Sequence, residues 1–392
     1  MKRTVSLKLK PSVEQADRLM ALVDAFSFAC NAVVPFVVES GGHNRVGLHP
    51  LAYYAVREKI PSIGSQMVCN AIKRVADMYK VLKSNGGIKK DKPIKRIIFS
   101  AKSVHYDKRT YSIKRDALSL FTLDGRILVQ FMGGQHQSLL LSRGAPKEAE
   151  LIFKKGKWFF NLVLDLPEHE PAGGDRVLGV DVGENNLAAT SSGGVFGGGS
   201  LRHNRDKFLA LRRRLQSNGS KASKKRLRII SGREQKHVKH VNHETSKEIV
   251  QEAIRQKAGI VAMEDLTHIR DNIKAGKRVR TRLHRWAFRQ LQDFVAYKAQ
   301  GLGLSVVFVD PAYTSQTCSE CHCLGKREKH IFKCSCGARR HADVNAAANI
   351  AWLAMPIGNA KAAVNQPNGD MLACSNFSHM AKPYVQEKAT PL

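Results

Sequence analysis

The first ten residues alternate in the manner of a strand, with Val5, Leu7 and Leu9 on one face and basic residues on the other. Pro11 ends the alternation, and Ser12 with Gln15 has the spacing of a helix capping box. A helical pattern follows through Leu19, Val23 and Phe26, and a second stripe runs through Val68, Ile72, Val75, Tyr79 and Leu82. The pattern predicts a helical unit over residues 11–86, closed by Asn85-Gly86-Gly87. From Ile94 the rhythm shortens. Ile97-Ile98-Phe99, Val104-His105-Tyr106 and Ile127 to Phe131 read as strands, and Trp158 to Leu164 reads as one arm of a hairpin turning at residues 154–157. Together with the first strand they predict a β-barrel-like module over residues 1–10 and 87–170, with the helical unit inserted into it. Pro167 to Asp175 reads as a linker, and the weakly periodic tail over 357–392 predicts little order.

The half that follows the linker alternates strand and helix, and three acids interrupt its apolar pattern. In Val177-Leu178-Gly179-Val180-Asp181-Val182-Gly183, Leu178, Val180 and Val182 share one face, and Asp181 shares the other with Gly179 and Gly183. Flanking glycines imply open space for a metal ion or an approaching backbone. Glu184-Asn185-Asn186 supplies a turn into a second strand. Glu264 ends the buried-strand run that starts at Gly259, at the carboxyl end where open α/β sheets place ligands. Asp265 alternates to the opposite face and is the weaker candidate. Asp343 opens an alanine-rich helix, where the macrodipole tolerates negative charge. Taken singly, each acid fits a cap or an ion pair. Converging from strand, strand and helix, they suit a pair of magnesium ions and phosphodiester hydrolysis.

Charge points the same way. Lys and Arg total 64 against 33 Asp and Glu in 392 residues, a formal net charge of +31. Such an imbalance implies a polyanionic partner with steeply salt-dependent binding. The basic residues concentrate between Arg202 and Lys239, and Arg212, Arg213, Arg214, Lys221, Lys224, Lys225, Arg226 and Arg228 form the candidate phosphate track. Leu209, Leu211, Leu215 and Ile229-Ile230 recur among them, so helices with one packed face are expected. His237, His240 and His243 recur at three-residue spacing and read as polar contacts on such a helix rather than metal ligands. Lys274 to Arg285 adds a second basic segment, followed by a helix through Trp286, Phe288, Leu291, Phe294 and Val295. No apolar run approaches spanning length on this reading, so membrane attachment is not expected. The amino terminus lacks the apolar block of a signal peptide, which predicts a cytoplasmic protein acting at the nucleoid.

Of eight cysteines, five lie between Cys318 and Cys336. Cys318-x-x-Cys321 is answered by Cys334-x-Cys336, two thiolate pairs with the spacing of a structural zinc ribbon. Because the second pair is C-x-C, Cys323, His322 or His330 remains open as a replacement ligand. A closed four-ligand site has no catalytic position. Cys30 and Cys69 sit in apolar helical patterns and read as core, and Cys374 lies in the tail.

Five segments together resemble the transposon-encoded TnpB proteins and the small type V CRISPR effectors related to them. They are Leu7-Lys8-Leu9-Lys10-Pro11-Ser12 with Glu14-Gln15, Gly179-Val180-Asp181-Val182-Gly183, Met263-Glu264-Asp265-Leu266, the run from Pro311 to Cys318, and Ala342-Asp343-Val344-Asn345-Ala346-Ala347. The resemblance runs from residue 1 to about residue 355. It implies an α/β catalytic half of ribonuclease-H-like (RuvC-type) fold over 171–310 and 341–356, with a zinc-ribbon insertion over 311–340. It also implies an amino-terminal wedge β-barrel with an inserted helical recognition unit. By the same match Asp181, Glu264 and Asp343 are the catalytic triad holding Mg2+, and Cys318, Cys321, Cys334 and Cys336 hold Zn2+. Guide RNA and double-stranded target DNA with a short adjacent motif are the implied partners. Three other functions fit parts of the pattern: an RNA-guided binding protein or repressor with little cleavage, a guide-free structure-specific nuclease, and a strand-joining transposase. The intact set of acids disfavours the first, and the modules ahead of the nuclease half disfavour the second.

Overall fold

Alternation makes the first strand. In the computed structural model, β1 (Lys2–Lys10) buries Val5, Leu7 and Leu9 and exposes Lys2 and Lys10. Residues 1–42, 44–88, 93–167, 169–170, 172, 174–267, 288–355 and 382–383 are described. The chain divides into two compact units, Met1–Pro167 and Glu168–Ala389. The predicted tail over 357–392, with Cys374, therefore lies outside the described residues apart from Lys382–Pro383. The basic segment from Lys274 to Arg285 and Trp286 lie outside them as well.

In the first unit, three helices follow β1. The capping box that opens α1 (Val13–Ser40) is present: Gln15 N donates to Ser12 Oγ at 3.2 Å, and Ser12 N donates to Gln15 Oε1 at 3.1 Å. α2 (Arg45–Lys59) and α3 (Ser65–Ser84) complete the set, with Val68, Ile72, Val75 and Tyr79 buried. The membrane expectation needs a correction here. α1 is long and apolar enough to cross a bilayer by length and composition, with an 18-residue window of mean hydropathy 1.9. Scattered polar residues such as Asp17, Asp24 and Asn31 hide that run in the sequence. One face of it, from Leu19 through Leu22, Val23, Phe26, Val33 and Val34 to Val37, is buried in the unit's own core, while Phe28 is exposed. Cys30 is buried there too, and burial pushes its thiol up to about 12.

Seven strands then form one antiparallel sheet. Its order is β2 (Ser103–Tyr106), β6 (Ala145–Lys154), β7 (Lys157–Asp165), β1, β5 (Gly125–Met132), β4 (Ala117–Thr122) and β3 (Tyr111–Lys114). A short helix, α4 (Gln135–Arg143), joins β5 to β6. Lys155 and Gly156 both adopt positive φ, 53° and 72°, as a two-residue hairpin turn requires. The sheet curls. Tyr106 and Tyr111 lie on its two edge strands, yet both rings pack on Phe160 of β7 at 5.7 and 5.3 Å. The run Ile97-Ile98-Phe99 is not a strand, contrary to its composition. Its backbone groups pair with helix side chains instead: Phe99 N donates to Asn31 Oδ1 at 2.8 Å, and Phe99 O accepts from Asn31 Nδ2 and Ser27 Oγ.

The second unit is built on a six-stranded sheet. Its order is β10 (Val195–Gly197), β9 (Asn186–Thr190), β8 (Val177–Asp181), β11 (Ile260–Glu264), β12 (Ser305–Val309) and β16 (Lys382–Pro383). β8, β11 and β12 are parallel, and the other three pair antiparallel at the flanks. Between β10 and β11 runs a helical hairpin, α5 (Gly199–Asn218) and α6 (Lys221–Arg255), turned at Gly219 with φ 65°. α7 (Phe288–Gln300) precedes β12. Three short strands, β13 (Lys326–Glu328), β14 (Ile331–Lys333) and β15 (Arg339–His341), make a separate small sheet ahead of α8 (Ala342–Ala354).

The faces of the six-stranded sheet follow the alternation. Leu178, Val180, Val261 and Met263 cluster with Ile249, Val250, Leu291 and Val295 of α6 and α7. Ala262 and Val309 face Ile350 and Leu353 of α8 on the other side. Gly179 belongs to that second face, and its room is not open space. A Cβ there would meet the Ala347 carbonyl oxygen at 2.0 Å and the Ala351 nitrogen at 2.5 Å, so the glycine lets the helix backbone sit on the strand. Gly183 is likewise filled, by Asn186 O at 2.8 Å. Gly179→Ala is expected to destabilise the unit by about 3 kcal/mol or more, the upper range for overpacking. Urea unfolding of the full chain measures it. An unchanged midpoint would mean that α8 does not press on β8.

Candidate active site

Strand register brings the first two acids together. In the parallel pair β8–β11, Gly179 is opposite Ala262 and Val180 opposite Met263, so one step further Asp181 lies beside Glu264. Both point to the α8 face by alternation. α8 supplies the third: His341 caps it, its Nδ1 accepting from Asp343 N at 3.3 Å, which sets Asp343 in the first turn. Asp343 is buried, only 7% exposed.

Asp181 feels the other two carboxylates. The Asp181 carboxyl is pushed up to about 8, by burial first and then by the charges of Glu264 and Asp343; Arg327 opposes the shift. Glu264 is raised by burial and by Asp310, against a hydrogen bond from Thr314. Like charge on hard oxygen donors is what a divalent cation such as magnesium relieves, so the chemistry of the donor set suits that group.

Neighbours fix two of the three acids. Asp343 Oδ2 accepts from Asn186 Nδ2 at 2.8 Å, and Oδ1 pairs with Arg327 Nη2 at 2.7 Å. Glu264 Oε1 accepts from Thr314 Oγ1 at 2.5 Å, and its backbone carbonyl accepts from Gln292 Nε2 at 2.7 Å. Asp265, the weaker candidate, faces away and turns the chain, accepting from Thr267 N at 3.1 Å. Sequence reasoning missed Asn186, Arg327, Thr314 and Asp310. Asp310 carried a signal, since it follows β12 as Glu264 ends β11. Thr314 lay inside the Pro311 to Cys318 motif. Arg327 had none: it reaches Asp343 from the separate small sheet.

The cysteine question is answered by distance. One sulfur from each of Cys318, Cys321, Cys334 and Cys336 lies within 4.8 Å of all the others. Cys318 to Cys336 is 3.8 Å and Cys321 to Cys334 is 3.5 Å. Sulfurs about 2.3 Å from a tetrahedral zinc stand about 3.8 Å apart, so the four fit that ion. Cys323 instead directs its thiol at Cys321 O (3.7 Å), His322 packs at a tilt against Trp352, and His330 packs near His341.

The basic track sits on the α5–α6 hairpin. Arg213, Arg214, Lys221, Lys224, Lys225, Arg226 and Arg228 are exposed around its turn. Arg212 differs: it is half-buried and pairs with Glu234 at 2.9 Å, bracing one helix against the other. The histidine repeat splits three ways, with His237 on Asn204, His240 on Glu244 and His243 stacked on Phe294 at 3.9 Å.

Comparison with known proteins adds independent findings. Residues 162–270 match the family model described as "Probable transposase", and residues 288–350 match "Cas12f1-like, TNB domain". The CRISPR-associated endodeoxyribonuclease Cas12f1 of Sulfoacidibacillus thermotolerans is 28% identical over 353 residues, 78% of this chain and 80% of that protein. A TnpB-like protein of Methanocaldococcus jannaschii is 31% identical over 235 residues, 55% of this chain and 81% of its own. The solved mini-RNA-guided endonuclease CRISPR-Cas_phi3 shares the fold, with a TM-score of 0.55 at 10% identity, covering 94% of this chain and 93% of that one.

Proposed function

The chain belongs to the TnpB-like family, and on that premise we propose that it is an RNA-guided DNA endonuclease hydrolysing DNA phosphodiesters at Asp181, Glu264 and Asp343. The observation that carries the reading is the convergence of these three acids from two parallel strands and one helix, where burial first and then the charges of Glu264 and Asp343 raise Asp181. In this reading residues 171–310 and 341–356 form a ribonuclease-H-like, RuvC-type core, and 311–340 a zinc ribbon. Residues 1–10 and 87–170 form a wedge barrel around the recognition helices of 11–86. Its partners are a guide RNA and a target duplex bearing a short adjacent motif.

The three acids would hold magnesium, which when bound supplies an activated water and neutralises the leaving oxygen. The protein's own part is positioning. Asn186 and Arg327 hold both oxygens of Asp343, and Arg327 keeps a cation beside the acidic centre. The exposed cations of the α5–α6 hairpin neutralise the backbone of the guide–target duplex. Neutralising Arg213, Arg214, Lys221, Lys224, Lys225, Arg226 and Arg228 is expected to flatten the salt dependence of binding. Each lost phosphate contact lowers the slope of log K against log salt by about 0.9. Arg212→Gln should chiefly lower stability.

The reading as a whole is tested by purifying the chain with its native flanking DNA expressed alongside and sequencing the RNA that copurifies. One dominant species with a constant scaffold and a variable end, followed by cleavage of a duplex matching that end, supports it. No RNA, or random fragments, would favour a guide-free nuclease.

A further inference from the structure

We propose that Thr314 is a positioning residue for the acidic centre, setting Glu264 for metal binding and tying it to the helix that carries Asp343. The inference rests on the reading of Glu264 as a metal ligand. Thr314 is 1% exposed, and its hydroxyl has two acceptors in reach: Glu264 Oε1 at 2.5 Å and Pro311 O at 3.1 Å. The shorter contact, to a carboxylate, is the stronger by nature. Pro311 O alone would satisfy a buried hydroxyl, so the bond to Glu264 is not required by burial.

The surrounding loop is over-determined in a way that serves this contact. Tyr313 holds a left-handed backbone, φ 62°, which costs a bulky residue about 1–2 kcal/mol. That turn carries the chain from an exposed Tyr313 to an inward Thr314. The carbonyl of Thr314 is then gripped by Asn349 Nδ2 at 2.9 Å, and the same amide reaches Thr317 O at 2.7 Å. One turn earlier, Asn345 Nδ2 also donates to Thr317 O at 2.7 Å, while its Oδ1 accepts from Ser319 N at 2.9 Å. Both asparagines are buried on α8. A chain of contacts therefore runs from Glu264 through Thr314 to Asn349 and along α8 to Asp343. Gln292 holds the Glu264 backbone from the opposite side. Side-chain hydroxyl, loop and helix fix the separation of two carboxylates that come from different elements. Outer contacts of this kind are worth about 10–100-fold in metal affinity.

The test compares Thr314→Val, which keeps the shape, and Thr314→Ala, which cannot overpack, with Thr314→Ser, which restores the hydroxyl. Mn2+ binding to the full chain is read by electron paramagnetic resonance, and the Mg2+ concentration for half-maximal cleavage by the guide-loaded protein is read in parallel. The Val and Ala variants are expected to weaken Mn2+ binding and raise the half-saturating Mg2+ about tenfold, with Ser close to the parent. Wild-type metal dependence in Val and Ala, even with a lower melting temperature, would overturn the assignment and leave Thr314 a structural residue. Glu264→Ala separates the two readings. If it abolishes Mn2+ binding while Thr314→Val does not, only the Thr314 inference falls. If Glu264→Ala binds Mn2+ as the parent does, the acidic centre itself is misassigned and the inference falls with it.

Discussion

Asp181→Ala is expected to lower DNA cleavage by about a thousandfold or more, roughly 4 kcal/mol of barrier, while guide-dependent duplex binding stays within a few-fold of the parent. The reason is where the residue sits. Asp181 ends a central parallel strand on the face covered by α8, and among the described residues the charges of Glu264 and Asp343 outweigh that of Arg327 beside it. Stability should move in the opposite direction to activity. A carboxyl raised from 3.8 to about 8 binds its proton more tightly in the folded state than in the unfolded one. Its ionised form therefore opposes folding, increasingly as pH climbs from about 4 towards 8. In chelator at pH 8 the alanine variant should melt higher than the parent, and at pH 4 the two should converge. Single-turnover cleavage, binding by the guide-loaded protein and melts at two pH values read all three. Retained cleavage, or binding lost together with it, would remove Asp181 from a purely catalytic role.

Much of this site was legible because it follows from short-range rules. Two-residue alternation put Asp181 on the face opposite Leu178, Val180 and Val182, and the sheet's core clusters divide along that line. Helix patterning put Asp343 in a first turn. What escaped depends on pairings between distant parts of the chain. Asn186 meets Asp343 across 157 positions and Thr314 meets Glu264 across 50, and no local period encodes either. Of the two uses read for the glycines beside Asp181, a metal ion or an approaching backbone, the second holds at Gly179, where Ala347 and Ala351 of the packed helix fill the place. Ile97 to Phe99 failed for a related reason: strand-like side chains do not decide where backbone hydrogen bonds go, and Asn31 and Tyr79 took them. The choice among seven candidate zinc ligands was a matter of a few ångströms, which spacing along the chain cannot resolve.

Cys318→Ser should have the largest effect on stability, and that effect should reach the active site. The small sheet cannot hold itself. Its strands are three residues each, and its core is Cys318, Phe332 and Ala342 with the partly buried Cys321, Cys334 and Ala338. Such a fragment lies below the size at which apolar burial sustains a fold. A structural zinc supplies on the order of 10 kcal/mol in small ribbons, so losing one of four thiolates should unfold this one. Two groups at the acidic centre hang from it: Arg327 on β13, and Thr314 in the loop leading into the first cysteine pair. Zinc content should fall from about one per chain towards none under mild chelation, and cleavage should fall at least about tenfold with it. Cys323→Ser is the control, because its sulfur is outside the cluster of four, and it should keep both zinc and cleavage. If Cys318→Ser keeps its zinc and melts as the parent does, the ribbon is not held by metal. Loss of zinc in Cys323→Ser instead would mean that the fifth cysteine, not the C-x-C pair, completes the site. Normal cleavage without zinc would separate ribbon from acidic centre, and the contacts of Arg327 and Thr314 would then be consequences of packing alone.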